Sequence, residues 1–117
     1  MGVQFDRFTV ALLILRPDAP NLDAEAAARL QDAQMSHLAD LQEAGYLLAA
    51  GPLSDDKFRG LSILNVEPER ARALKEQDPA VIAGRFSVKL IPWIVPRGAM
   101  TFAHAHFPRS VSELDGE

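Results

Sequence analysis

The 117-residue chain contains no cysteine. That excludes a disulfide framework, a thiolate metal site and a cysteine nucleophile, and it fits a reducing compartment, so a cytoplasmic location is expected. Basic residues form no block. A count of 12 Lys+Arg against 16 Asp+Glu gives a net charge of −4, which argues against nucleic acid and anionic membranes as partners. Long hydrophobic runs are missing too. The longest early one, Phe8 to Leu15, is far short of a membrane span. Asp6 and Arg7 precede it and "RPDAP" follows without a small-residue cleavage pattern, so a signal peptide is not expected. Asp6 also breaks the myristoylation pattern that Gly2 would open. The chain has neither a Gly-rich phosphate loop nor a G-x-S-x-G elbow.

What is present is ordinary globular material. Hydrophobic residues make up 48% and charged residues 24%, in a length that suits one compact domain with a sizeable core. Phe8–Leu15 is aliphatic and β-branched without alternation, which predicts a first strand buried on both faces. Asn21–Gly45 predicts a long helix, capped by Asn21 or Asp23 and ended by Gly45. Leu30, Gln34, His37 and Leu41 recur along it at steps of three or four, one stripe of an amphipathic helix. Tyr46–Leu53 reads as a second strand, "SDDKFRG" as a polar turn and Leu61–Val66 as a third strand returning antiparallel. Glu67–Gln77 predicts a second helix with Pro68 near its start. "DPAVIAG" (78–84) is a short capped turn. Phe86–Pro96 is a fourth strand that Pro92 places at an edge or bulge.

The order β-α-β-β-α-β is the split βαβ pattern of the α+β ferredoxin-like fold. It predicts an antiparallel four-stranded sheet with two helices on one face. Residues 1–97 then form the domain. Residues 98–117 are a tail that packs on a partner subunit, with its last several residues expected to be mobile. The fourth strand is apolar on both faces: Phe86, Val88, Leu90 and Ile94 on one, Ile91, Trp93 and Val95 on the other. Two helices cover only one face. A homodimer packed sheet to sheet covers the other, forming a dimeric α+β barrel.

Four places offer chemistry. His37 lies on or beside the core stripe, where an imidazole needs a partner or a cavity. Its functional role is a general acid or base; its bland one is a buried histidine bonded to backbone. Asp78 is explained by capping alone, since Pro79 follows at the first helical position and Gly84 closes the turn. Its functional role is to accept the His37 ring N–H. Gly51, Pro52 and Leu53 end a strand, either as a terminator or as a pocket wall with backbone facing a small-molecule ligand; Trp93 is a further candidate for contact with that ligand. His104 and His106 form an H-x-H pair without an evident third ligand, so no metal site is assigned.

The helix histidine in "SHLADLQEAGYLLAAGPL", the "GPL" strand end, the "DPAVIAG" turn and the closing "VKLIPW" together resemble the YCII family over residues 8–96. The resemblance implies the dimeric α+β barrel superfamily and a His-Asp dyad in a cleft, which by motif is His37 with Asp78. It implies an activity of lyase or isomerase type, in the manner of dehydrochlorinases or muconolactone isomerases, with no cofactor. The alternatives are a non-catalytic dimer that binds a small ligand and a purely structural dimerisation module.

Overall fold

The computed structural model describes residues 2–114; residues 115–117, where mobility is expected, lie outside them. Four strands, β1 (Phe5–Leu15), β2 (Leu47–Pro52), β3 (Phe58–Leu64) and β4 (Phe86–Pro96), form one sheet in the order β2-β3-β1-β4. Every neighbouring pair is antiparallel. With the helices α1 (Ala24–Glu43) and α2 (Pro68–Lys75) as the crossovers, this is the ferredoxin-like α+β fold. Two short helices complete it, α3 (Pro79–Ile82) and α4 (Val111–Leu114).

Local chemistry sets the boundaries. Asp23 caps α1 by accepting from the Ala26 N–H at 2.7 Å. Gly45 follows the helix with φ of 88°, a left-handed position that suits glycine. β3 starts earlier than the expected Leu61. The Asp55 carboxylate accepts from the N–H groups of Lys57 at 2.9 Å and Phe58 at 2.7 Å. This closes the turn by residue 57 and lets Phe58 enter the ladder.

β1 alternates as a strand with one covered face should. Thr9, Ala11 and Leu13 are buried, while Phe8, Val10, Leu12 and Ile14 are half-buried. The first set faces the helices. Ala11 and Leu64 pack with Leu41 of α1 and with Ala71 and Leu74 of α2. Leu13 and Phe86 pack with Ala80 of α3. Across the opposite face, cross-strand pairs align Val10 with Ile91 and with Ile63, and Phe8 with Trp93. Ile91 and Trp93 remain 38% and 39% exposed, an apolar surface without a full cover among the described residues.

Candidate functional site

A cavity of about 470 Å³ opens between α1 and the β2–β3 end of the sheet. Its floor is Leu13, Ala50, Gly51, Pro52, Gly60 and Ser62, and its roof is Gln31, Gln34, Met35 and Leu38. The register contributes to the space. Ser62 is paired with Ala50 on β2, so a small side chain flanks its hydroxyl on the cavity side, while Ala11 on β1 belongs to the core.

The third wall is the tail. Ala105, His106, Phe107, Pro108 and Leu114 close the cavity, and Phe107 packs against the main core cluster. Several anchors hold the tail on its own chain. The Arg109 guanidinium reaches Ser36 Oγ at 3.1 Å, Asp40 at 2.9 Å and Glu43 at 3.1 Å. The Val111 N–H donates to Asp32 at 2.8 Å. The Gln42 amide donates to the Ala105 carbonyl. Phe102 meets Phe8 edge-on at 5.6 Å. His106 pairs with Glu113, and that contact, with the Arg109 N–H, holds the Glu113 carboxyl below its ordinary value.

Behind the wall sits a wholly buried ionic pair. Asp78 caps α3 by accepting from the Ala80 N–H at 2.8 Å, and its other oxygen accepts from the Gln34 amide at 3.2 Å. The Lys75 Nζ lies 4.0 Å from that second oxygen and donates to Ser62 Oγ at 3.2 Å. Both side chains are fully buried. Burial pushes the Lys75 ammonium below its ordinary pKa, and the Asp78 charge opposes this less strongly. Gln34 and Ser62, both on the cavity surface, are thus joined from behind through Asp78 and Lys75.

The expected site residues separate. Gly51 and Pro52 lie on the cavity wall; Leu53 does not. Trp93 lines a different, smaller depression of about 70 Å³ beside Phe8 and Pro92. No hydrogen bond or ion pair joins His37 to Asp78: the α1 side chain that meets Asp78 is Gln34. The reason is the helical period. His37 is three residues on from Gln34, about 60° off its direction and about 4.5 Å further along the axis. Its Nε2 is buried and has no hydrogen-bond partner among the described residues. His37→Leu should therefore hold or raise stability, by up to about 1–2 kcal/mol, since an unsatisfied buried polar atom carries a cost of that order. A urea titration checks this, and a loss above about 1 kcal/mol would show that the imidazole is bonded in solution. His104 does not line the cavity. No group of metal-ligating side chains occurs among the described residues.

Gln34 and Ser62 border the cavity and Lys75 stands behind it, and motif reasoning passes over all three. The available signal is patterning: Gln34 stands on the core stripe of α1, and Lys75 follows Ala71 by four residues, on the buried side of α2.

The chain is a ferredoxin-like α+β domain with a cavity between its first helix and the sheet. The family model of the YCII-related domain matches residues 10–94, and the chain belongs to that family. No curated protein matches the sequence. Among solved structures the chain resembles 5-chloro-2-hydroxyhydroquinone dehydrochlorinase from Burkholderia phenoliruptrix AC1100, in complex with 2,5-dihydroxybenzoquinone. The TM-score is 0.55 at 19% sequence identity, covering 74% of this chain and 92% of that one. That likeness concerns the fold. No helix among the described residues is long and apolar enough to cross a membrane.

Proposed function

We propose that this chain is a small-molecule enzyme of lyase or isomerase type, whose reaction moves a proton on a ligand held in the α1–β3 cavity. One observation carries the reading. A mostly apolar cavity presents a few polar groups, and two of them, Gln34 and Ser62, are backed by the buried Lys75–Asp78 pair. Apolar pockets with few convergent polar groups and a perturbed titratable group are the usual form of such sites. Membership of the YCII family and the fold shared with a dehydrochlorinase support the same reading. Asp78 is its anchor, and Gly51 and Pro52 supply backbone against the ligand. The cytoplasm fits a chain without cysteine.

The test is binding by calorimetry of 2,5-dihydroxybenzoquinone, followed by chloride release from 5-chloro-2-hydroxyhydroquinone. Binding with turnover supports an enzyme, and no binding of either compound removes this substrate class. Binding without turnover supports a second reading, a non-catalytic ligand-binding dimer. That reading is favoured by one feature: an amide without acid–base chemistry, Gln34, is the cavity residue that meets Asp78.

The same proposal includes a homodimer. The face bearing Phe8, Val10, Ile63, Ile91 and Trp93 packs on its copy around a two-fold axis to give the dimeric α+β barrel. Ile91→Lys places a charge at this contact twice per dimer. It should raise the dimer dissociation constant at least about tenfold, as read by sedimentation, with the far-UV circular dichroism unchanged. A parent chain that sediments as a monomer at all concentrations would remove the dimer.

A further inference from the structure

Lys75 is an unusual residue to bury completely, because a lysine is almost never fully enclosed without a partner that satisfies it. Its surroundings are specific. The Nζ lies 3.2 Å from Ser62 Oγ on β3 and 4.0 Å from the Asp78 oxygen that Gln34 also bonds. Ser62 is itself only 4% exposed, and the space it borders is the cavity. The strand neighbour Ala50, which also lines the cavity, leaves room for a ligand atom beside the hydroxyl. An isolated buried lysine would need only an acceptor. This one has an acceptor that is also the hydroxyl facing the cavity.

We infer that Ser62 is the catalytic hydroxyl of this cavity, passing protons between a bound ligand and Lys75, with Asp78 positioning the amine. The inference rests on the reading that the cavity carries proton-transfer chemistry. The ligand class is a small ring with an enolisable carbonyl. In the basic direction a ligand C–H proton moves to Ser62 Oγ as the Ser62 hydroxyl proton moves to the neutral Lys75 amine. The electron pair left on carbon becomes that of an enolate or expels an anionic leaving group. Lys75 becomes an ammonium beside Asp78. The acidic direction reverses each transfer. The lowered pKa of Lys75 suits this exchange, because it raises the share of neutral amine able to accept a proton at a given pH. Among the described residues, the other ionisable groups on the cavity wall are Arg59 and His106, the latter paired with Glu113.

The probe is 2,5-dihydroxybenzoquinone dissolved in D2O, with loss of its ring-proton signal followed by NMR. Exchange requires the acidic step to place a deuteron on a ring carbon and the basic step to remove the original proton. The parent chain should accelerate the loss. Ser62→Ala and Lys75→Met should each reduce that acceleration at least tenfold, and Ser62→Thr, which keeps a hydroxyl, should restore most of it. Asp78→Asn should move the pH profile to lower pH, because removing the carboxylate charge favours the neutral amine. A structural role for Lys75 would move no pH profile. If Lys75→Met fails to fold, Ser62→Ala decides alone. Full acceleration in Ser62→Ala, or a profile unmoved in Asp78→Asn, overturns the inference and leaves the functional reading standing. A parent chain that accelerates nothing overturns both.

Discussion

Replacing Asp78 by alanine should lower the unfolding free energy by about 3–5 kcal/mol, the range for breaking a buried ionic pair from one side. Three losses combine. The cap on the Ala80 N–H at 2.8 Å disappears, the Gln34 amide loses its acceptor at 3.2 Å, and the Lys75 ammonium loses the negative charge 4.0 Å away. Asp78→Asn should cost less, about 2 kcal/mol, because the amide oxygen still caps α3 while the charge is gone. The sign of the pH dependence follows from Lys75. Its folded-state pKa lies below the ordinary 10.5, so the unfolded chain binds the proton more readily. Charging the buried amine therefore subtracts stability below the folded-state value, and the deficit shrinks as pH rises from there towards 10.5. Without Asp78 that deficit deepens. The gap between parent and Asp78→Ala should thus be widest below the folded-state pKa of Lys75 and narrow as pH rises towards 10.5. Urea titrations at a series of pH values measure it, and a gap independent of pH would mean that Asp78 serves only as a cap.

The fold was legible because its elements carry strong periods and clear punctuation. The stripe on α1, the Gly45 ending and the cap–proline–glycine turn at 78–84 are local signals, and the structure keeps each of them. β3 begins three residues ahead of its apolar run because the Asp55 turn is tighter than its composition suggests. The site was less legible. Gln34 and His37 stand on neighbouring lines of the same helical stripe, and a titratable side chain attracts attention over an amide. Which of them faces Asp78 depends on about 60° of helix rotation, set by packing against α3 and not by spacing along the chain. Lys75 escaped for a different reason. Lysine normally lies at the surface, and its burial here comes from Ser62 and Asp78, which are distant or merely adjacent in sequence and meet it only in the folded chain. The tail carries no periodic pattern before α4, so its docking along α1 follows from Arg109, Phe107 and Asp32 finding partners in three dimensions.

Removing residues 98–117 should lower stability by about 3 kcal/mol and weaken ligand binding in the cavity at least tenfold. The energetic part is dominated by aromatic contacts. Withdrawing half-buried Phe107 from the core cluster costs about 1.5 kcal/mol, at the lower end for a Phe side chain. Losing the edge-on contact of Phe102 with Phe8 adds about 1 kcal/mol. The ion pairs of Arg109 with Asp40 and Glu43 are solvent-exposed and contribute little. Arg109→Ala alone should therefore change stability by less than about 1 kcal/mol, and only at low salt. The binding part is geometric. His106, Phe107, Pro108 and Leu114 form one wall, and without them the ligand faces water on that side. Phe107→Ala separates the two effects, since it empties the core contact while leaving the rest of the strap in place. If truncation weakens binding far more than Phe107→Ala does, the tail acts as a cavity wall. If both weaken it equally, Phe107 alone shapes the pocket. Unchanged stability and unchanged affinity on truncation would mean that in solution the tail lies away from its own cavity, and the wall would then have to be sought on the second copy.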